Sequence, residues 1–358
     1  MASEAPEYAS IPFADAVKVE KLDSHTYSAS LSSNYCIGAV PNGGYVASCM
    51  LAAASAHLSS RDQPDTLTAH FEYPARASPG PAVIVIEDVK LGRSQVSTLH
   101  LTLWQGGLKT EAPWITPSVS RRVILAYTTH VNLQTFGGFS LPTGYESTPA
   151  AALPGPSPHF DALKANGKDE GWEGAVLPQA SGGIHSLRNW HFYLPRAGPL
   201  TPGVLDMWIC PASGEHITQA MLPFVVDSFP FTMHAYLAAP ELRELLMPPS
   251  RGDRERETSS GGADKMSKAE DRDEDGQTEA RASLWFPTVV MNLEVKAALP
   301  SQGAEWLNVR VTSKQIKDGR FDLEVLVRDV EGEIVALSHH VALVLSIERN
   351  TAKMKSSL

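Results

Sequence analysis

The chain has 358 residues, 43 % of them hydrophobic, and 40 acidic against 30 basic side chains, a formal net charge of −10. That length and apolar content support two domains or one large one with sizeable cores, and exclude a disordered chain. The acidic balance, with a pI near 5.6, argues against nucleic acid or an anionic membrane as the main partner. Three scattered cysteines, Cys36, Cys49 and Cys210, give neither a disulfide framework nor a zinc spacing, so no metal is expected and the compartment reads as reducing.

The first residues, Met1-Ala-Ser-Glu-Ala-Pro-Glu, show neither a basic n-region nor an apolar h-region. No apolar run approaches the roughly 18–20 residues of a membrane span. An intracellular, cytoplasmic protein is expected. The terminal Ser356-Ser357-Leu358 differs from the peroxisomal Ser-Lys-Leu signal at its middle position, which makes the peroxisome the alternative.

In chain order, residues 1–24 read as a leader, followed by a strand at Tyr27–Gly38. Pro41-Asn-Gly-Gly-Tyr45 then opens an apolar run, Val46 to Leu58, with almost no polar stripe. A helix apolar all round is buried on nearly every side. The glycines leave backbone N–H groups bare at a helix N-terminus, which suits a thioester carbonyl or a phosphate. Equally, Asn42 caps the helix and the glycines make a tight turn. Period-2 segments follow at Thr66–Tyr73, Ala82–Val89, Ser97–Trp104 and Arg122–Thr129, rich in Val, Ile, Thr and aromatics, as half-buried antiparallel strands are.

These elements form an N-terminal unit, 25–137. A Pro/Gly/Ala/Ser-rich stretch, 138–183, reads as a linker, with Tyr145, Phe160 and Trp172 packing parts of it onto a surface. A C-terminal unit, 184–350, repeats the plan. Its strands are Asn189–Leu194 and Val204–Ile209, its helix Ile217–Phe229, and its later strands Leu284–Val295, Trp306–Thr312, Phe321–Val327 and Ile334–Leu345. Turns repeat as well: Lys90-Leu-Gly-Arg93 answers Lys317-Asp-Gly-Arg320, and Gln105-Gly-Gly107 answers Val330-Glu-Gly332. The pattern is an internal duplication of an α+β unit. The second copy is interrupted at 251–282 by mixed charge with few large apolar residues, which reads as a disordered insertion that includes Arg251-Gly252-Asp253. Residues 351–358 form a tail.

A strand, a long buried helix and a wrapping antiparallel sheet, occurring twice, resembles the double-hotdog fold. The chain is similar to the thioesterase II (TesB-like) acyl-CoA thioesterases, and to their fungal members in particular, over roughly 25–133 and 184–348. The likeness rests on Asn42-Gly-Gly-Tyr45, Tyr73-Pro-Ala-Arg-Ala-Ser-Pro-Gly80, Leu222-Pro-Phe-Val-Val-Asp-Ser-Phe229, Pro287-Thr288 and Val335-Ala-Leu-Ser-His-His-Val-Ala-Leu343. The resemblance implies a pseudo-dimer within one chain, and leaves open further association into a homo-oligomer. It implies no cofactor, no metal and no covalent nucleophile. The substrate would be an acyl-CoA or a carrier-protein-bound acyl thioester of fatty acid metabolism.

In that family a carboxylate, a hydroxyl and a glutamine hold the hydrolytic water. The matching positions are Asp227, Thr288 and, as a departure, His340. From the residues alone, Asp227 is either buried with partners or a cap for the following turn. Thr288 shares strand parity with Asn292 and Glu294. His340 falls with Ala336, Ser338 and Ala342, opposite Val335, Leu337, His339, Val341 and Leu343; a bulge would reverse this, with His339 as the reserve. Asn42, Gly43, Gly44 and Tyr45 are the expected substrate-binding set, the glycines as oxyanion donors. They could share one cleft with the polar trio or mark a second.

The sequence has no Gly-x-Ser-x-Gly elbow for a serine hydrolase. Two other readings stand beside hydrolysis. One is a degenerate hotdog that binds acyl thioesters without chemistry, favoured by the missing glutamine. The other is an enoyl-thioester hydratase or dehydratase, whose Asp-x-Asn-Pro-x-His motif Asp227-Ser-Phe-Pro-Phe-Thr232 keeps only in part.

Overall fold

The computed structural model describes residues 11–92, 95–175, 185–201, 203–229, 284–346 and 348–351. The insertion at 251–282, the end of the linker, Arg93 and the tail beyond 351 lie outside the described residues.

The stretch read as leader contains α1 (Phe13–Ala16) and β1 (Val19–Lys21), and the N-terminal unit contains β2 (Thr26–Leu31), β3 (Cys36–Ile37), β4 (Val40–Pro41), α2 (Gly43–Leu58), β5 (Asp65–Glu72), β6 (Gly80–Lys90), β7 (Ser97–Gln105) and β8 (Arg121–Val131). Alanine is the best helix former, and the alanine-rich run of α2 allows close packing on all sides. Eleven of its sixteen residues, from Gly44 to Leu58, are buried. The expected strand 27–38 divides into β2, a 3₁₀ turn at Ser33–Tyr35 and β3.

Next come α3 (Phe160–Asn166) and β9 (Trp172–Gly174), inside the stretch read as linker. Phe160, Leu163 and Trp172 pack there with Tyr193, Trp208 and Trp306 into a small second core. That burial fixes part of a segment whose composition shows no periodicity. The remaining elements are β10 (Trp190–Pro195), β11 (Val204–Pro211), α4 (Leu222–Val226), β12 (Leu284–Trp285), β13 (Thr288–Val295), β14 (Leu307–Thr312), β15 (Ile316–Lys317), β16 (Arg320–Arg328), β17 (Ile334–Leu343), β18 (Leu345–Ser346) and α5 (Glu348–Thr351). The helix expected over 217–229 is shorter within the described residues. A 3₁₀ turn, Gln219–Met221, leads into α4, and Asp227 closes α4 as its C-cap.

One 14-stranded sheet runs through both halves in the order β1-β2-β6-β7-β8-β5-β13-β17-β16-β14-β11-β10-β9, with β15 on β16. Read outward from its centre, β5-β8-β7-β6-β2 repeats as β13-β17-β16-β14-β11, so the order itself carries the duplication. The halves join where β5 pairs antiparallel with β13. The sheet curls round α2 and α4, and the buried apolar residues of both halves form one continuous core.

Candidate active site

The N-terminal end of α2 meets the short helix α4 from Pro223 to its C-cap Asp227, and glycine is what permits it. A Cβ on Gly44 would lie 2.1 Å from the Pro223 carbonyl oxygen and 2.7 Å from Asp227 Cβ. The side chain of Asn42 caps α2 by accepting the Tyr45 N–H at 2.9 Å. Its amide also donates to the Asp227 backbone carbonyl at 2.8 Å. One residue thus starts the first helix and holds the end of the second.

The Asp227 side chain is 10 % exposed. Gly44 N–H donates to its Oδ2 at 2.8 Å, and the Thr288 hydroxyl donates to its Oδ1 at 3.0 Å. His340 Nδ1 faces the same Oδ1 at 3.5 Å. The imidazole is wholly buried, and its Nε2 lies 2.8 Å from Ser338 Oγ. Asp227, Thr288 and His340 are therefore brought together, in one cleft with the glycines of α2.

Strand parity alone misplaces Thr288. A register shift between Thr288 and Val290 marks a bulge, so that Thr288 pairs with Ala342 while Met291 pairs with His340. A bulge sets two residues against one and re-aims the side chain beyond it. Thr288 consequently turns inward instead of outward with Asn292 and Glu294. For β17 the grouping of residues holds, and His340, not His339, faces Asp227. Ala336, Ser338, His340 and Ala342 are buried, and His339 and Val341 are exposed. Small residues occupy this inner face because α4 packs against it.

The expected substrate-binding set is also corrected in part. Gly44 N–H is committed to Asp227, which leaves Gly43 N–H as the glycine donor not used in this way. Tyr45 is a core residue. Its hydroxyl donates to Ala16 O at 2.7 Å and accepts from Ser32 N–H at 3.0 Å, and its ring stacks on Tyr35.

Gly43, Asp227 and Thr288 sit on the wall of a cavity of about 140 Å³, otherwise lined mainly by apolar groups such as Val46, Ile124, Leu187 and Leu323. Tyr73 lines it too and donates its hydroxyl to Gly43 O at 3.2 Å. Burial, and then the neighbouring Asp227, hold its phenol well above the ordinary range. Sequence reasoning quoted Tyr73 and Ser338 within motifs but gave neither a role in the site.

None of Cys36, Cys49 and Cys210 lines this cavity, and burial pushes their thiols up to about 12. Among the described residues one other group has the donor types of a metal site: His25, His57 and Asp88. Each imidazole Nε2 already meets one Asp88 oxygen, at 3.1 and 2.8 Å. His57 Nδ1 is buried without a partner, whereas a metal-bound histidine ordinarily donates its second N–H. The group reads as a latch between the end of α2 and β6.

Residues 31–122 match the acyl-CoA thioesterase N-terminal domain, and residues 160–344 match the acyl-CoA thioesterase C-terminal domain. The thioesterase-like protein TwmA of Talaromyces wortmannii is 60 % identical, covering 100 % of this chain and 99 % of that protein. Among solved structures, a hot dog fold protein of Alicyclobacillus acidocaldarius superimposes with a TM-score of 0.61 at 17 % identity, over 94 % of this chain and 98 % of that one. An acyl-CoA thioesterase II of Mycobacterium marinum gives 0.54 at 14 % identity, over 94 % and 98 %. These likenesses bear out the α+β double hotdog. Both halves of the family's domain pair are present in order, and the chain accordingly belongs to the acyl-CoA thioesterases, in their TesB-like double-hotdog form, and is a thioester hydrolase.

Proposed function

We propose that the chain hydrolyses acyl thioesters, carried on CoA or on a carrier protein, with Asp227 as the base that takes a proton from water. The setting of that carboxylate carries the reading. It lies on the wall of an apolar cavity, with Oδ2 held by Gly44 N–H and Oδ1 held by the Thr288 hydroxyl. A carboxylate offers about four lone-pair sites, so each oxygen keeps capacity for a water. Held from both sides, it accepts the proton with little reorganisation.

The apolar wall suits an acyl chain. Gly43 N–H, in the first turn of α2, suits the thioester oxygen as it becomes an oxyanion, with the positive end of the helix behind it. One O–H bond of water breaks and its proton goes to Asp227. The hydroxide oxygen bonds to the acyl carbon; the C–S bond then breaks and the sulfur takes the proton.

The test is thiol release from short, medium, long and aromatic acyl-CoAs by the wild type, Asp227→Ala and His340→Gln. Loss of the base is expected to lower turnover by about 10²–10⁴-fold while acyl-CoA binding persists. His340→Gln, which restores the family's residue, is expected to retain hydrolysis. Wild-type turnover in Asp227→Ala would refute the assignment.

A further inference from the structure

Ser338 Oγ lies 2.5 Å from the Asn292 carbonyl oxygen. Two oxygens that close need a hydrogen between them, and only the hydroxyl has one to give. The Ser338 proton therefore points at Asn292, and Oγ offers His340 Nε2, 2.8 Å away, nothing but lone pairs. Nε2 must then be the N–H of the ring. In the neutral imidazole this leaves Nδ1 as a bare acceptor, fully buried and with no hydrogen-bond partner among the described residues. What it faces is Asp227 Oδ1 at 3.5 Å, an oxygen that already accepts the Thr288 hydroxyl.

Two acceptors buried and turned toward each other with no room for a water between them are satisfied together only when a proton stands between them. A proton arriving at Nδ1 would need no ring rotation. The resulting imidazolium would have Ser338 Oγ on one N–H and Asp227 on the other.

We propose that Ser338 is a positioning residue that fixes the Nε2–H form of His340, so that Nδ1 holds and returns the proton passing through Asp227. This rests on the reading of Asp227 as the base. The water proton reaches Asp227 as the hydroxide oxygen bonds to the acyl carbon, and is shared with His340 Nδ1 behind it. When the C–S bond breaks, the proton passes back through Asp227 to the sulfur, restoring the carboxylate and the neutral ring. Without the serine the ring is free to adopt the Nδ1–H form. That form donates to Oδ1 and weakens the carboxylate as a base, and its bare acceptor, Nε2, faces away from Asp227.

The test joins a spectroscopic reading with a double-mutant cycle. In ¹⁵N-histidine-labelled protein, the two-bond proton–nitrogen pattern of His340 is expected to show Nε2–H in the wild type and a gain of Nδ1–H in Ser338→Ala. On acyl-CoA, Ser338→Ala is expected to lower kcat about tenfold, with KM within about twofold, and Ser338→Thr, which keeps the hydroxyl, is expected to recover most of it. In the His340→Gln background Ser338→Ala should change kcat little, because no tautomer remains to be fixed. An unchanged tautomer in Ser338→Ala, or an equal fall of kcat with histidine and with glutamine at 340, would overturn the proposal while leaving Asp227 in its role. Asp227→Asn assayed alongside separates the two: full turnover there overturns the reading of the base itself.

Discussion

Gly44→Ala sets two effects of known size against each other. Replacing glycine by alanine inside a helix stabilises it by up to about 1 kcal/mol, less in a first turn that is only partly committed. At this position, however, the new Cβ would stand 2.1 Å from the Pro223 carbonyl oxygen and 2.7 Å from Asp227 Cβ. Ordinary van der Waals contact begins near 3.4 Å, so α2 and α4 must part by more than about 1 Å, against backbone that cannot rotate away. Overpacking a well-filled core costs about 1–3 kcal/mol, which outweighs the gain in helix propensity. The N–H that holds Asp227 Oδ2 moves with the backbone, and a misplacement of about 1 Å can reduce turnover by about a hundredfold. Gly43→Ala is the control, because its Cβ would meet Asp227 Oδ2 and the Tyr73 ring at only 3.1–3.3 Å. Urea unfolding and thiol release on the two variants measure both consequences. Gly44→Ala is expected to lose about 2 kcal/mol and most of its turnover, and Gly43→Ala much less of the former. If Gly44→Ala matches the wild type in both, close approach of the helices does not hold the carboxylate.

The buried pair Asp206–Arg310, with Nε to Oδ1 at 2.8 Å and the second guanidinium nitrogen to Oδ2 at 2.9 Å, also ties down the linker, since Arg310 donates to the carbonyls of Ala150 and Ala152. Asp206→Ala leaves that guanidinium buried without its partner and is expected to cost about 3–5 kcal/mol in chemical unfolding, together with faster proteolysis near Ala150; unaltered unfolding would count against the clamp. Burial, and then His57, push His130 down to about 4, whereas an unfolded imidazole protonates near 6.5. Between those values the unfolded chain binds the extra proton, so stability present at neutral pH is lost as pH falls from about 6.5 to about 4, by up to about 3 kcal/mol. His130→Gln should flatten that slope in unfolding curves taken across the range, and an identical slope would rule His130 out as its source.

The strands were legible because their inward residues are apolar and alternate cleanly, as Leu99, Leu101 and Leu103 do in β7, all fully buried. Where the inner face is small or polar, alternation still groups residues correctly but no longer says which group is inside. β17 shows this, with Ser338 and His340 buried and Val341 exposed. The bulge before Val290 has no composition of its own, so Thr288 could be placed by its match to a family and not by counting. The second role of Asn42 was hidden for a related reason. A capping asparagine is visible from its neighbours in sequence, but its bond to the Asp227 carbonyl joins residues 185 positions apart, and only the docking of the two halves creates it. Tyr45 was misread because it adjoins the glycines in sequence; one helical step turns its ring into the core.

That docking also explains why a duplicated chain carries one candidate site. The halves match down to the irregularities. β5 is shifted against β8 between Thr66 and Thr68, after which Thr68 pairs with Thr129 and Ala69 with Thr128. β13 is shifted against β17 between Thr288 and Val290, after which Val290 pairs with Val341 and Met291 with His340. Thr66 thus stands where Thr288 does, and Thr128 where His340 does. The first copy nevertheless lacks the acid, because α2 contains no aspartate or glutamate between Gly43 and Leu58. Its inner polar groups bond to each other instead, His130 to Thr128 at 2.9 Å and Ser97 to Gln63 at 2.5 Å. The first helix contributes to chemistry in another way, through the Gly44 N–H that holds the carboxylate of Asp227 and the Asn42 amide that holds its backbone carbonyl. A buried carboxylate needs donors from outside its own turn, and here one comes from its own copy, the Thr288 hydroxyl, and one from the other, the Gly44 N–H. The site therefore belongs to the interface between the copies, and neither half could assemble it alone.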